Sequence, residues 1–215
     1  NIRKVFGQVR ILAVIRHPIE LVKSLYMQLL RRDNVGGRAR RGQPIRFDEI
    51  DAWLTENWGQ PGEPPSAHLE YADSIRMFAD EFGPDHVKVL VFEELVRDPK
   101  SFIRSVCEFI HVDPEEGGRL LGTQGENRRM GTRQLEMLRR IDASPLRSLA
   151  FRWSGRRMRR RWIGLHGDGS VPDGPKAAPR IAPQVQSRIA AATREGNVWL
   201  RKQWNLPLEH HDYPL

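Results

Sequence analysis

The feature that most constrains this chain is a junction near its start. Val9 to Ile15 is a short, almost unbroken apolar run rich in β-branched residues, the pattern of a strand buried on both faces. Arg16-His17-Pro18 follows at once, and Ile19, Leu21, Val22, Leu25 and Leu29 then recur at helical spacing. Proline has no N–H to lose in a helix's first turn and its φ is already helical, so Pro18 suits the helix start. The reading is strand, tight turn, helix. It recurs downstream, where the helical pattern of Ser66 to Phe82 stops at Gly83-Pro84 and Val87 to Phe92 forms a second buried strand. Glu93 to Pro99 then leads into an amphipathic helix over Lys100 to Ile110. Two buried strands separated by helical connections predict an α/β fold, a parallel sheet flanked by helices.

The rest of the chain is read more coarsely. Arg31 to Gln43, with Gly36-Gly37, has no period and is a loop; Phe47 to Trp58 is a short helix with Asp48 and Glu49 near its positive end. Gln60 to Pro65 breaks the chain, Val171 to Pro183 is a connector, and Gln184 to Trp204 forms the last helix. At 215 residues the chain makes one sizeable domain, expected over 1–215. No run of eighteen apolar residues predicts a membrane span, and no signal pattern opens the sequence. The single cysteine, Cys107, lies where a helix turns it inward, so a buried structural thiol is expected rather than a nucleophile. The chain begins on Asn1, directly on a basic-apolar segment, which predicts a piece of a longer protein.

The net charge of +8 is concentrated in one place. The segment 128–161 carries twelve arginines against Glu136 and Asp142, a net +10, and leaves the remainder slightly acidic. Arginine's planar fork suits oxyanions, although a GC-rich genome produces the same bias. Pro145 and Gly155 interrupt an otherwise helical pattern here. The run Arg156-Arg157-Met158-Arg159-Arg160-Arg161-Trp162 interleaves an aromatic with basic residues, as a nucleic-acid contact does, but no recognition module accompanies it. Capture of an anionic donor or acceptor, a solvated helix, and nucleic-acid binding are the three readings of this segment.

A basic residue at the carboxyl end of a buried strand, followed by a turn into a helix, is where α/β proteins hold phosphates. Arg16 occupies that place, and Ser24 lies two turns into the helix. Taken alone, the pair is also what a surface ion pair and an incidental helix serine give.

The surrounding residues resemble a known family. The segment Ile11-Leu-Ala-Val-Ile-Arg16-His-Pro18-Ile-Glu-Leu-Val-Lys-Ser24-Leu-Tyr26 resembles the 3′-phosphate-binding block of sulfotransferases: apolar strand, Arg, a variable residue, Pro, and Ser eight residues after the Arg. Tyr71 through Pro99 resembles the family's helix, strand and acidic segment, and Phe102 to Val112 the helix after it. Trp204, Leu206 and Tyr213-Pro214 look like the family's closing segment. Gly36 to Pro65 and Arg147 to Ala178 are unmatched.

The resemblance implies a P-loop-like sulfotransferase fold and transfer of a sulfuryl group from 3′-phosphoadenosine 5′-phosphosulfate (PAPS) to an acceptor hydroxyl or amine, with a carbohydrate expected. The donor is a co-substrate, and no metal is expected. Arg16 and Ser24 are then expected to grip the donor's 3′-phosphate, with Phe92 near the adenine or packed at a strand end. Asn127, Arg128 and Arg129 fall where bacterial relatives have a segment near the nucleotide, or at a solvated helix start. His17 is expected to fill the turn, and Glu93 to cap or orient the following helix. Residues 31–65 are expected on the acceptor side. The family's phosphate-binding loop, with its lysine, has no counterpart in this sequence, and the loop, the first strand and the base are expected upstream of Asn1; the fragment alone is expected to be inactive. High arginine content and one cysteine suggest a bacterial, cytoplasmic enzyme. A small-molecule kinase of the same fold and a basic nucleic-acid-binding domain are the alternatives.

Overall fold

The computed structural model of the chain describes residues 4–5, 7–32, 47–60, 65–120, 131–155, 158 and 178–215. In chain order its elements are β1 (Ile11–Ile15), α1 (Pro18–Arg31), α2 (Ile50–Asn57), α3 (Ser66–Leu69), α4 (Tyr71–Phe82), β2 (Val87–Val91), α5 (Phe92–Arg97), α6 (Pro99–Ile110), α7 (Pro114–Leu120), α8 (Thr132–Asp142), α9 (Pro145–Trp153) and α10 (Pro183–Trp204). They fall into two compact units, one of residues 1–21, 58–124 and 183–215, the other of 22–57 and 125–182, with the division inside α1. Among the described residues no helix is long and apolar enough to cross a membrane.

The first unit is built on the expected parallel sheet. β1 pairs with β2 in parallel, in a register running from Ile11 opposite Val87 to Ile15 opposite Val91. Ile15, Val87, Val89 and Val91 turn into a core shared with Ala72 and Ile75 of α4, Leu200 of α10, and Leu206, Leu208 and Tyr213 beyond it. α4 stops at Gly83, whose φ of 92° is open to glycine at little cost. A 3₁₀ turn, Pro84–His86, then feeds β2. α10 lies close against α4, and a Cβ at Gly196 would stand only 2.9 Å from that of Ala72. The indole N–H of Trp204, at the end of α10, donates to the Val87 carbonyl at 3.2 Å.

Local chemistry sets the element ends in this unit. The Asp98 carboxylate accepts from the Ser101 N–H at 3.1 Å and Pro99 occupies the first turn, so α6 starts where cap and proline dictate. His111, in the left-handed conformation, ends it. Cys107 is buried in α6, as expected, and its sulfur lies where a side chain on Gly117 of α7 would have to be, 2.3 Å from the Cβ position.

Several sequence expectations change. The helix expected from Ser66 to Phe82 is two helices, because Glu70 leaves helical geometry (φ −83°, ψ 33°). Phe92, expected to end the second strand, opens α5, so Glu93 to Arg97 are helical rather than a lead-in. β1 is not buried on both faces: Leu12 and Val14 are half-exposed while Ile15 is buried. Among the described residues β1 has β2 as its one strand neighbour, and an apolar run records hydrophobicity, not what covers it.

In the second unit, α8 and α9 form a helical hairpin. Pro145, expected to interrupt a helix, starts one: the Ser144 hydroxyl accepts from the Arg147 N–H at 3.4 Å, and Pro145 fills the first turn. The Tyr26 hydroxyl donates to the Asp48 carbonyl at 2.8 Å, and its ring packs on Trp53 with centroids 5.8 Å apart. The Asp51 carboxylate accepts from the Ala182 N–H at 3.1 Å. Arg139 pairs with Glu49 at 2.7 Å and lies over the Phe47 ring.

Candidate functional site

The register of the sheet decides what meets at its carboxyl end. Because Ile15 lies opposite Val91, the next residues, Arg16 and Phe92, leave the two strands side by side. The Arg16 guanidinium sits over the Phe92 ring, 4.7 Å from its centroid. A guanidinium's N–H groups point outward in its own plane, so stacking on an aromatic leaves hydrogen bonding to a different direction.

One residue further, His17 meets Glu93. The His17 backbone N–H donates to Oε1 of Glu93 at 3.0 Å, and the Tyr213 hydroxyl donates to Oε2 at 2.9 Å. Glu93, expected to cap or orient the following helix, uses its carboxylate to join the strand-end turn to a residue 120 positions away. The His17 ring fills the turn, as expected, with its edge to Tyr213 (centroids 5.3 Å, planes at 70°) and Nε2 3.1 Å from the Asp212 carbonyl. Its other ring nitrogen, Nδ1, is buried without a hydrogen-bond partner among the described residues.

A second tier holds this arrangement in place. Asn197 of α10, fully buried, accepts from the Tyr71 hydroxyl at 3.2 Å and donates to the Pro214 carbonyl at 2.9 Å. Next to Glu93, Glu94 meets Nε2 of His211 at 2.5 Å. Burial raises the pKa of Tyr213 far above its ordinary value, and the Glu93 charge and hydrogen bond raise it further while Arg16 works in the opposite direction. Tyr71 is raised for the same reasons, burial first and Glu93 second. Both phenols therefore stay neutral hydrogen-bond donors throughout the physiological range.

The bonding also limits what the helix terminus offers an anion. Pro18 has no N–H, and the His17 N–H is taken by Glu93, so the helix start contributes less than its position suggests. An anion at this corner would therefore depend on side chains rather than on the helix start.

The remaining candidates are placed as follows. Ser24 is half-buried on α1, beyond the division between the units. Asn127, Arg128 and Arg129 lie outside the described residues. The sequence reading missed Tyr213, Asn197 and Tyr71 as parts of the site's support. The closing Tyr213-Pro214 stands out in the sequence, but nothing local to it signals that it bonds to Glu93.

Comparison with known proteins bears on the same region. The model of a family described as "Sulfotransferase family" matches residues 1–116. A crystal structure of a sulfotransferase from Alicyclobacillus acidocaldarius shares the fold at a TM-score of 0.56 and 18% identity, covering 97% of this chain. The chain spans 60% of the length of that protein. No curated protein matches the chain. The family match runs over more than half of the chain and takes in the paired strands, Arg16, Ser24, Phe92 and Glu93, and on that ground the chain belongs to the sulfotransferase family.

Proposed function

We propose that this chain contributes the 3′-phosphate grip of a PAPS-dependent sulfotransferase acting on a hydroxyl or amine, with a carbohydrate as acceptor and the cytoplasm as its place of action. The observation that carries the reading is the placement of Arg16: at the carboxyl end of two parallel strands, stacked on Phe92, in a turn whose backbone is held by Glu93.

These residues suit such a donor by their chemistry. A guanidinium offers paired donors to a phosphate, and a half-buried one binds it more strongly than a solvated one does. Phe92 fixes the plane of the guanidinium. Ser24, by the resemblance of its segment, supplies a hydroxyl to the same phosphate, and Asn127, Arg128 and Arg129 lie near the nucleotide. The bound donor supplies an activated sulfuryl group. Arg16 holds the nucleotide at its far end so that this group faces the acceptor, which is catalysis by positioning. The same grip discriminates against nucleotides lacking a 3′-phosphate, because the arginine then loses its charged partner. Residues 31–65 are assigned to the acceptor side. The acceptor class rests on the arginine-rich, single-cysteine composition, which fits a bacterial enzyme of carbohydrate chemistry.

The test is calorimetric titration of the intact gene product with adenosine 3′,5′-bisphosphate and with AMP. The bisphosphate should bind more tightly, and Arg16→Ala should weaken it by roughly tenfold to a hundredfold while AMP is unaffected. Equal binding of the two nucleotides, together with no effect of Arg16→Ala, would refute the assignment.

A further inference from the structure

The helix α9 carries a feature that donor binding does not use. Leu146, Leu149 and Trp153 are spaced three and four residues apart, which puts them on one face. All three are exposed, Leu146 at 80%, Leu149 at 49% and Trp153 at 83%. Ala150, exposed as well, falls within the same stripe. Phe151 points the other way and is fully buried, so the helix is anchored by one face while the other displays its largest apolar groups. Met158, a few residues on, is also exposed. Single exposed leucines are ordinary, but a stripe ending in a tryptophan on so short a helix is not.

The charge around the stripe narrows the choice of partner. α9 lies within the segment 128–161, whose twelve arginines face two acids in the sequence. Arg147 and Arg152 are in the helix itself, and five more arginines lie between residues 156 and 161. α8, packed against α9, carries the exposed Arg140 in its last turn ahead of Asp142, while Arg139 there is already paired with Glu49. Apolar side chains with a tryptophan among dense positive charge match the two layers of an anionic bilayer surface, acyl boundary and headgroup phosphate. A nucleic acid would use the arginines and leave Leu146 and Leu149 without a role.

We infer that α9 is a membrane-surface docking face, which lays Leu146, Leu149 and Trp153 into the interface of an anionic bilayer while the exposed Arg147 and the arginines that neighbour the helix in sequence supply charge for its headgroups. Docking of this kind requires no spanning helix. It is independent of the donor reading and would place the enzyme beside lipid-borne or surface-bound acceptors.

The experiment is vesicle flotation with the intact protein, using phosphatidylcholine vesicles with and without phosphatidylserine. Binding is expected to the anionic vesicles, weakened by salt and nearly absent on phosphatidylcholine alone. The double variant Leu146→Ser/Trp153→Ser removes apolar surface at exposed positions and should lower partitioning by roughly tenfold or more. Its far-ultraviolet circular dichroism and melting temperature should match the parent's. Insertion should also blue-shift Trp153 emission, read as the difference between the parent and Trp153→Phe. Three results would overturn the inference: no vesicle binding, vesicle binding unchanged in the double variant, or a stripe-dependent dimer in light scattering. Binding of duplex DNA or RNA that competes with vesicles and ignores the double variant would assign the segment to nucleic acid instead.

Discussion

The neutral phenols make the chain's alkaline limit a sharp prediction. All three of its tyrosines, Tyr26, Tyr71 and Tyr213, have pKa values raised well above the ordinary 10, in each case mainly by burial. Glu93 adds to the shift at Tyr71 and Tyr213, and Glu49 does so at Tyr26 against an opposing effect of Arg139. Unfolding releases the phenols to titrate normally, so above about pH 10 the unfolded state holds fewer protons than the native state and stability falls as pH rises. The contribution is intact below pH 10. At pH 11 a phenol with an unfolded pKa near 10 and no native ionisation costs about 1.4 kcal/mol. Three of them give at most about 4 kcal/mol, an upper bound because residual solvent contact reduces each share. Against a typical total of about 5–15 kcal/mol that is a steep loss.

The assay is phenolate absorbance followed with pH, beside far-ultraviolet circular dichroism. The folded protein should show almost no phenolate at about pH 11, where a free tyrosine is roughly nine-tenths ionised. Phenolate should then appear together with the loss of helix. Glu93→Gln should bring the Tyr213 transition closer to its ordinary range without reaching it, since burial is the larger cause. Gradual ionisation of even one tyrosine between pH 10 and 11, with the helical signal intact, would refute the burial argument for that residue.

Two further predictions concern packing. Asn197→Ala leaves the Tyr71 hydroxyl and the Pro214 carbonyl without their buried partner and should cost about 2–4 kcal/mol in chemical denaturation, with adenosine 3′,5′-bisphosphate binding weakened less than by Arg16→Ala. Gly117→Ala forces a methyl group onto the Cys107 sulfur and should destabilise by about 1–3 kcal/mol; adding Cys107→Ala should recover part of the loss, and a strictly additive double mutant would show that the two do not clash.

What was legible in the sequence followed from local chemistry. The strand-turn-helix at Ile11 to Arg31 was readable because hydrophobic period and Pro18 agree, and α6 because Asp98 and Pro99 mark its start. The break at Glu70 was not, since the apolar spacing continues across it while the backbone does not. Phe92 was misplaced by one element because an apolar residue after a β-branched run reads as more strand. The place of Arg16 at a strand end was readable, whereas its stacking on Phe92 depends on register, which only the paired strands define. The support by Glu93, Tyr213 and Asn197 joins residues more than a hundred positions apart, and no local pattern encodes it.

The bond between the His17 ring and the Asp212 backbone spans 195 residues, and this separation bears on how the protein is made. At synthesis rates of about 5–20 residues per second, the turn bearing Arg16 emerges roughly 10–40 seconds before its last partners exist. Until then the nascent chain carries this turn with its closing contacts missing, so completion of this corner is among the latest events of folding. Ribosome stalling or premature release short of Tyr213 therefore yields a chain with its strands written and its Arg16 turn unlatched, an expected substrate for quality-control proteolysis.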